Sequence, residues 1–127
     1  MKKVTMCFVI LAAAVMMTGC GGSKPYDAKK VSELKDKVFS LTPDDYAEVI
    51  KQADGILTYF EQKYPADELK EKAQGLVTEE KFGSDTELFQ TFNQFCNALY
   101  NMDDAMDADT KSAYDKFLER KKNLIGH

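Results

Sequence analysis

The sequence is poor in the residues that most enzymes use for chemistry. Its 127 residues include no tryptophan, three cysteines and one histidine, His127. A lone histidine at this position is not expected to act as a general base, which must be held close to a substrate. The sequence also lacks a glycine-rich phosphate loop, the spacing of zinc ligands and a serine–histidine–acid set. We therefore expect a protein without catalytic residues, cofactor or metal.

A long membrane-spanning segment is missing as well. The most apolar run, residues 4–18, is about 15 residues long, whereas a transmembrane helix needs about 20. This run follows Lys2 and Lys3 and ends in small residues. A basic head, a short apolar stretch and a small-residue end are typical of a secretory signal peptide that is removed from the mature protein.

The end of this segment is more specific than a general signal peptide. Met17-Thr18-Gly19-Cys20 resembles the lipobox of bacterial lipoproteins, although leucine is more common than methionine at its first position. The resemblance implies cleavage before Cys20, thioether linkage of its thiol to diacylglycerol, and a further acyl chain (palmitate) on its amine. Two or more acyl chains anchor a protein stably to a membrane. The alternative is an ordinary secreted protein in which Cys20 occurs by chance.

The residues around the lipobox also suggest a location. Met1-Lys2-Lys3 with a lipobox ending in Gly-Cys is similar to lipoproteins of Bacteroides-type bacteria. Gly21 is not the aspartate that retains lipoproteins in the inner membrane of enterobacteria, which favours the outer membrane. Many surface-exposed lipoproteins of the Bacteroides type carry an acidic run after the cysteine, and its absence here favours the periplasmic face.

We divide the chain into a signal peptide (1–19), the lipidated cysteine with a flexible linker (20–27) and one domain (28–127). Loss of Lys2 and Lys3 from a chain of net charge −4 leaves the mature protein at −6, which argues against nucleic acid as a partner. After processing and lipidation Cys96 is the only thiol, so no intramolecular disulfide is expected. We expect its side chain to be buried.

The domain shows helical periodicity and no sustained alternation of the kind that strands show. We predict helices over 28–40, 43–64, a third beginning at Pro65, 85–101 and 107–124. Thr42 and Pro43 form a typical helix start, and Ser84 with Glu87 fits a capping box. Four to five amphipathic helices with short connections predict an all-α fold, a small antiparallel bundle.

The fourth predicted helix has an unusual composition. No charged residue occurs between Leu88 and Met102, although 30% of the chain is charged. Five amides lie on the side opposite the apolar residues at 100° per residue and form a candidate interaction face: Gln90, Asn93, Gln94, Asn97 and Asn101. Such a face suits a partner helix or a sugar, or its amides simply meet neighbouring helices or water.

Other clusters allow two interpretations each. Phe92 and Phe95 are expected on the core face of this helix with Leu88, Cys96 and Leu99, flanked by Phe89 and Tyr100. The alternative is that Phe89, Phe92 and Phe95 line a ligand pocket. Four acids lie between the last two helices, but their spacing is not that of an EF-hand, and acids favour a helix start without any metal: Asp103, Asp104, Asp107 and Asp109. Basic residues near the C-terminus favour a helix end or touch lipid headgroups: Lys116, Arg120, Lys121 and Lys122.

These observations predict a membrane-anchored envelope lipoprotein with a non-catalytic helical domain. We expect the domain to bind another, unidentified protein of the cell envelope. The alternative is that it binds a small hydrophobic or glycan ligand between its helices. Two carboxylates that meet only in the fold could still form a hydrolase site.

Overall fold

The computed structural model describes residues 24–127, and over this range the protein is an all-α bundle. Its helices are α1 (Ala28–Asp36), α2 (Pro43–Lys63), α3 (Ala66–Lys72), the single-turn α4 (Glu79–Phe82), α5 (Thr86–Asn101) and α6 (Ala108–Ile125). Two 3-10 turns precede α5 and α6. The predicted signal peptide and lipidated cysteine lie outside the described residues. Within them, no helix combines the length and the apolar character that a membrane span requires.

The longest helix, α2, forms the centre of the bundle and contacts α1, α3, α5 and α6. It begins as predicted, because the Thr42 amide donates to the Asp45 carboxylate (3.0 Å) and Pro43 occupies the first turn. Its predicted apolar face is buried from Tyr46 to Phe60. Burial of apolar side chains stabilises a small bundle, because each Å² of apolar surface removed from water contributes about 25 cal/mol.

Aromatic rings fill the seam between α2 and its neighbours. The ring of Phe60 on α2 meets Phe89 of α5 edge to face at 5.1 Å, and Phe89 stacks on Phe82 of α4 at 4.5 Å. Phe92 of α5 continues to Phe117 of α6 at 6.0 Å. These arrangements are the favoured ones for aromatic pairs. The rings therefore tie four helices into one core.

The structure corrects several details of the predicted helices. Helix α1 ends at Asp36, and turns with hydrogen bonds to the third preceding residue carry the chain to Ser40, which keeps Val38 and Leu41 in the core before α2 begins. Helix α3 ends at Lys72, and Gly75 adopts a left-handed φ of 75°. The spacing of Leu76 from Leu69 and Ala73 predicts that the three share one apolar face, but this turn leaves Leu76 81% exposed.

The capping box predicted at the start of α5 is wrong. A 3-10 turn over Gly83–Asp85 precedes this helix, and Asp85 rather than Ser84 occupies its N-cap position. The Glu87 carboxylate accepts a hydrogen bond from Lys35 of α1 at 2.7 Å. Long-range pairing between two helices thus replaces the local contact that the sequence pattern suggested.

The end of the predicted linker is packed against α2. The Asp27 amide donates to Gln52 Oε1 at 2.7 Å, and the ring of Tyr26 meets Tyr59 edge to face at 5.7 Å. Gly55 makes this approach possible, because a Cβ there would collide with the carbonyl oxygen of Pro25. Gly55 is off the main apolar face, so α2 is buried on a second side that its periodicity does not reveal.

A buried carboxylate ties the end of α2 to the start of α5. Asp85 is 6% exposed and accepts hydrogen bonds from Tyr59 Oη (2.8 Å), Lys63 Nζ (2.6 Å) and Tyr64 Oη (3.1 Å). Burial by itself would raise the pKa of Asp85, but these three donors outweigh it and hold the pKa below its usual value. The charge is therefore paired and fully hydrogen-bonded, as a buried charge must be.

We expect Gly55→Ala to destabilise the protein by about 1–3 kcal/mol, because the added methyl group collides with the Pro25 backbone. In a chain that begins at Asp27 the same substitution should stabilise by up to about 1 kcal/mol, since alanine is the better helix former. Urea unfolding measures both effects when glycine and alanine at position 55 are compared in the full chain and in the chain that begins at Asp27. Equal changes in the two backgrounds would contradict the packing of residues 25–26 on α2.

We expect Asp85→Asn to lower the free energy of unfolding by about 1–3 kcal/mol at pH 7, because hydrogen bonds to a charged acceptor are lost. A carboxyl group with a lowered pKa in the folded state stabilises above its unfolded pKa of about 4, and this contribution disappears as the pH falls below that value. The difference between variant and wild type should therefore shrink from pH 5 to pH 2.

Guanidinium unfolding across this pH range tests the expectation. Asp104→Asn, at an exposed carboxylate, is the matched control and should change stability by less than about 0.5 kcal/mol at every pH. A deficit of Asp85→Asn that stays constant at low pH would contradict the role of the charge.

Candidate functional site

The five amides of the predicted interaction face lie on the outer side of α5. Its inner side is held by Phe89, Phe92, Phe95 and Leu99, which are all fully buried. Four of the amides are exposed and one, Asn93, is half-buried: Gln90, Asn93, Gln94, Asn97 and Asn101. We call these five residues the amide face. The structure thus brings them together on the surface.

The side chains of the amide face are not engaged within the domain. Among residues 24–127, none of the five side-chain amides makes an intramolecular hydrogen bond, and no buried side-chain polar atom lacks a partner. Each amide offers both donors and an acceptor. The amides therefore meet solvent rather than neighbouring helices, and all of them are available to a ligand.

Two exposed aromatic rings flank the amide face. Phe39, in the turn after α1, is 96% exposed, and Tyr100 of α5 is 76% exposed. The helical wheel places Tyr100 on the edge shared with Asn93 and Asn97. Tyr100 was expected beside the core and lies outside it. Phe39 was not predicted as a site residue from the sequence. Its exposure could have been predicted, because Val38 already occupies the buried position in the helical spacing.

Phe39 forms one wall of a hollow that borders the amide face. We call it the α5 hollow, and its volume is about 310 Å³. An apolar wall faces amides across it, and its lining contains no charged residue: Val38, Phe39, Gln94, Asn97, Ala98, Asn101 and Met102. The hollow lies at the surface between the turn after α1 and the last turns of α5.

Several charged residues next to this region are paired within the domain. Glu87 meets Lys35 at 2.7 Å, and the hydrogen bond from Lys35 lowers the pKa of Glu87. Lys37 meets Asp45 at 2.8 Å. Beyond the C-terminal end of the amide face, Asp103 meets Lys111 at 2.5 Å. These pairs neutralise part of the charge around the amide face, and the exposed Asp36 and Asp104 have no ion pair among residues 24–127.

The aromatic rings suggested for a ligand pocket lie inside the core. Phe89, Phe92 and Phe95 pack within the core. The three surface hollows described for residues 24–127 have volumes of about 290, 310 and 350 Å³, and none is lined by these rings. Of the two interpretations of the rings, the structure favours the core.

Cys96 is only half-buried, although its side chain packs against the core. Burial of the thiol raises its pKa to about 12, and the charge of Lys121 acts in the opposite direction. A thiol with so high a pKa is a poor nucleophile at neutral pH. Cys96 is therefore a packing residue in this arrangement.

The Asp85 network offers no group that titrates near neutral pH. The pKa of Asp85 is lowered, and its hydrogen bond raises the pKa of Lys63. Burial raises the pKa of Tyr59 and Tyr64 further above neutrality. All four groups keep one protonation state at physiological pH, which suits a structural tie between helices rather than proton transfer.

Some members of the remaining acidic and basic clusters make contacts within the domain. Asp103 pairs with Lys111, and Asp107 accepts from the Thr110 amide at 2.7 Å to cap α6. Among residues 24–127 no three acidic, histidine or cysteine side chains converge as metal ligands would. Of the C-terminal basic residues, Arg120 binds Asp54 and Glu61 of α2.

Comparison of the chain with protein families, with characterised proteins and with solved structures finds no significant match.

Proposed function

We propose that this protein is a membrane-anchored lipoprotein of the bacterial envelope whose non-catalytic helical domain binds another protein through the amide face. The resemblance of Met17-Thr18-Gly19-Cys20 to a lipobox supports the anchor. The proposed location is the outer membrane, with the domain facing the periplasm. Four residues separate Cys20 from Pro25, so the tether spans less than about 20 Å even when fully extended.

The observation that carries the binding proposal is the uncharged, exposed outer side of α5. Protein interfaces are depleted of charged residues at their centre and enriched in aromatic residues and methionine. The amide face lacks charge, and exposed rings of Phe39 and Tyr100 flank it. Its amides supply hydrogen bonds whose desolvation costs less than that of ionised groups.

A second candidate function is the binding of a small amphipathic ligand, such as a glycan. The α5 hollow favours it, because its volume of about 310 Å³ falls at the lower end of ligand sites. Its apolar wall and its amides would meet the two faces of such a ligand. This site lies at the surface and not among the core phenylalanines that the sequence suggested.

We expect Cys20→Ser to abolish incorporation of labelled palmitate and to stop processing of the precursor, because the thiol that accepts the lipid is absent. Cys7→Ser and Cys96→Ser are matched controls and should keep both. Metabolic labelling followed by electrophoresis reads out lipidation and cleavage together. Labelling that persists in Cys20→Ser would contradict the proposed anchor.

We expect the triple change Gln90→Ala, Asn93→Ala and Asn97→Ala to reduce partner recovery at least tenfold. The fold should remain, with a change in unfolding free energy of less than about 1 kcal/mol, because these side chains make no internal hydrogen bonds. Quantitative cross-linking and pull-down from envelopes measures recovery.

The control for this experiment replaces Ser112, Lys116 and Glu119 by alanine. These residues are exposed on α6, away from the amide face. Recovery of the same partners by both triple variants would show that the amide face is not the binding surface.

A further inference from the structure

The net charge of this protein restricts how two copies can meet. The mature chain carries −6, so two copies repel each other over most approaches. The repulsion is smallest where the contacting surfaces carry no charge. Between Leu88 and Met102 the chain has no charged residue. The neighbouring Glu87 and Asp103 are each paired with a lysine, and the exposed Asp104 is the nearest acid without an ion pair among residues 24–127.

The amide face is also complementary to itself. In a two-fold symmetric contact each residue meets itself or a nearby residue of the same surface. An exposed acid or base at the axis would face its own charge, whereas Asn97 can donate to and accept from its symmetry mate. With the axis at Asn97 and two antiparallel α5 helices, Asn93 of one copy lies opposite Asn101 of the other.

The flanking apolar groups add surface to such a contact. Phe39 is almost fully exposed, and Val38, Ala98 and Met102 form the apolar part of the α5 hollow beside it. Ala98 is small, which allows a second helix to approach the hollow closely. Closing this region against a second copy would remove Phe39 from water.

We propose that the amide face binds a second copy of this chain, pairing two molecules through α5 about a two-fold axis near Asn97. The inference deepens the proposed function and rests on it, because it names the partner at the same surface. One helix of 16 residues and one turn give a small contact, below the roughly 800 Å² per partner of a typical stable complex. The pairing is therefore weak in solution and is promoted when lipid anchors hold both copies in one membrane.

The test places the photo-cross-linking residue p-benzoylphenylalanine at position 97 of the full-length chain in membranes. The matched control carries it at Asn123, an exposed asparagine of α6. We expect an adduct of twice the chain mass from position 97, at least tenfold more abundant than from position 123, with mass spectrometry joining two α5 peptides. Equal dimer adducts at both positions would overturn the inference.

The other outcomes separate this inference from the proposed function. An adduct of position 97 with a different protein would overturn pairing of two copies and leave the proposed binding function standing. The absence of any adduct at position 97 would overturn both.

A charge exchange at Asn97 checks the symmetry of the contact. Asn97→Asp and Asn97→Lys each place like charges at the axis. The yield of dimers of each variant alone should therefore fall at least tenfold when membranes are cross-linked with a reagent that does not react with cysteine. Co-expression of the two should restore mixed dimers, because opposite charges then meet. Asn123→Asp should behave as wild type. Failure of the mixture to recover, with circular dichroism unchanged, would overturn the two-fold arrangement.

Discussion

The aromatic seam between α2, α5 and α6 determines the orientation of the other features of this domain. Phe60, Phe89, Phe92 and Phe117 contact one another in series, with ring separations between 5.1 and 6.0 Å. Full burial of one such side chain contributes about 1.5–3 kcal/mol. Rotating α5 about its axis would expose several of these rings at once. The amide face is therefore held outward because the opposite side is committed to the core.

Polar contacts then position the ends of the helices. Asp85 joins the end of α2 to the start of α5 through three donors, and Arg120 joins α6 to Asp54, Thr58 and Glu61 on α2. These groups form hydrogen bonds with one another, and no buried side-chain nitrogen or oxygen atom among residues 24–127 lacks a hydrogen-bond partner. A hydrogen bond likewise positions the start of α1, because the Asp27 amide donates to Gln52 Oε1. The packed domain thus begins close to the proposed anchor.

The outer side of α5 differs from the rest of the surface because it lacks charged residues from Leu88 onwards. Elsewhere, exposed helix positions hold acids and bases, many of them in ion pairs between helices. Such pairs contribute little stability when exposed, but they keep a surface soluble. The outer side of α5 achieves solubility with amides instead, which can form hydrogen bonds to a protein surface without the cost of desolvating a charge.

Helical periodicity alone determined much of this fold. The apolar spacing of Val49, Ala53, Ile56 and Phe60 predicted the core face of α2, and the same reasoning placed the amides of α5 on one side. Local patterns were less reliable wherever a long-range contact competed with them. Glu87 pairs with Lys35 and not with Ser84, and the turn at Gly75 moved Leu76 out of the core.

Only the tertiary structure decided what surrounds each face. Helical spacing places Gly55 on the side of α2 opposite its apolar face, yet Gly55 is buried under Pro25 and Tyr26, because close backbone approach depends on segments that are far apart in sequence. Asp85 is a buried acid paired with Lys63, and no local pattern indicated its burial. The exposure of Phe39 and the α5 hollow likewise arise where the turn after α1 meets α5. Periodicity indicates which side of a helix is buried. Which other residues are covered or exposed depends on the elements that pack beside that helix.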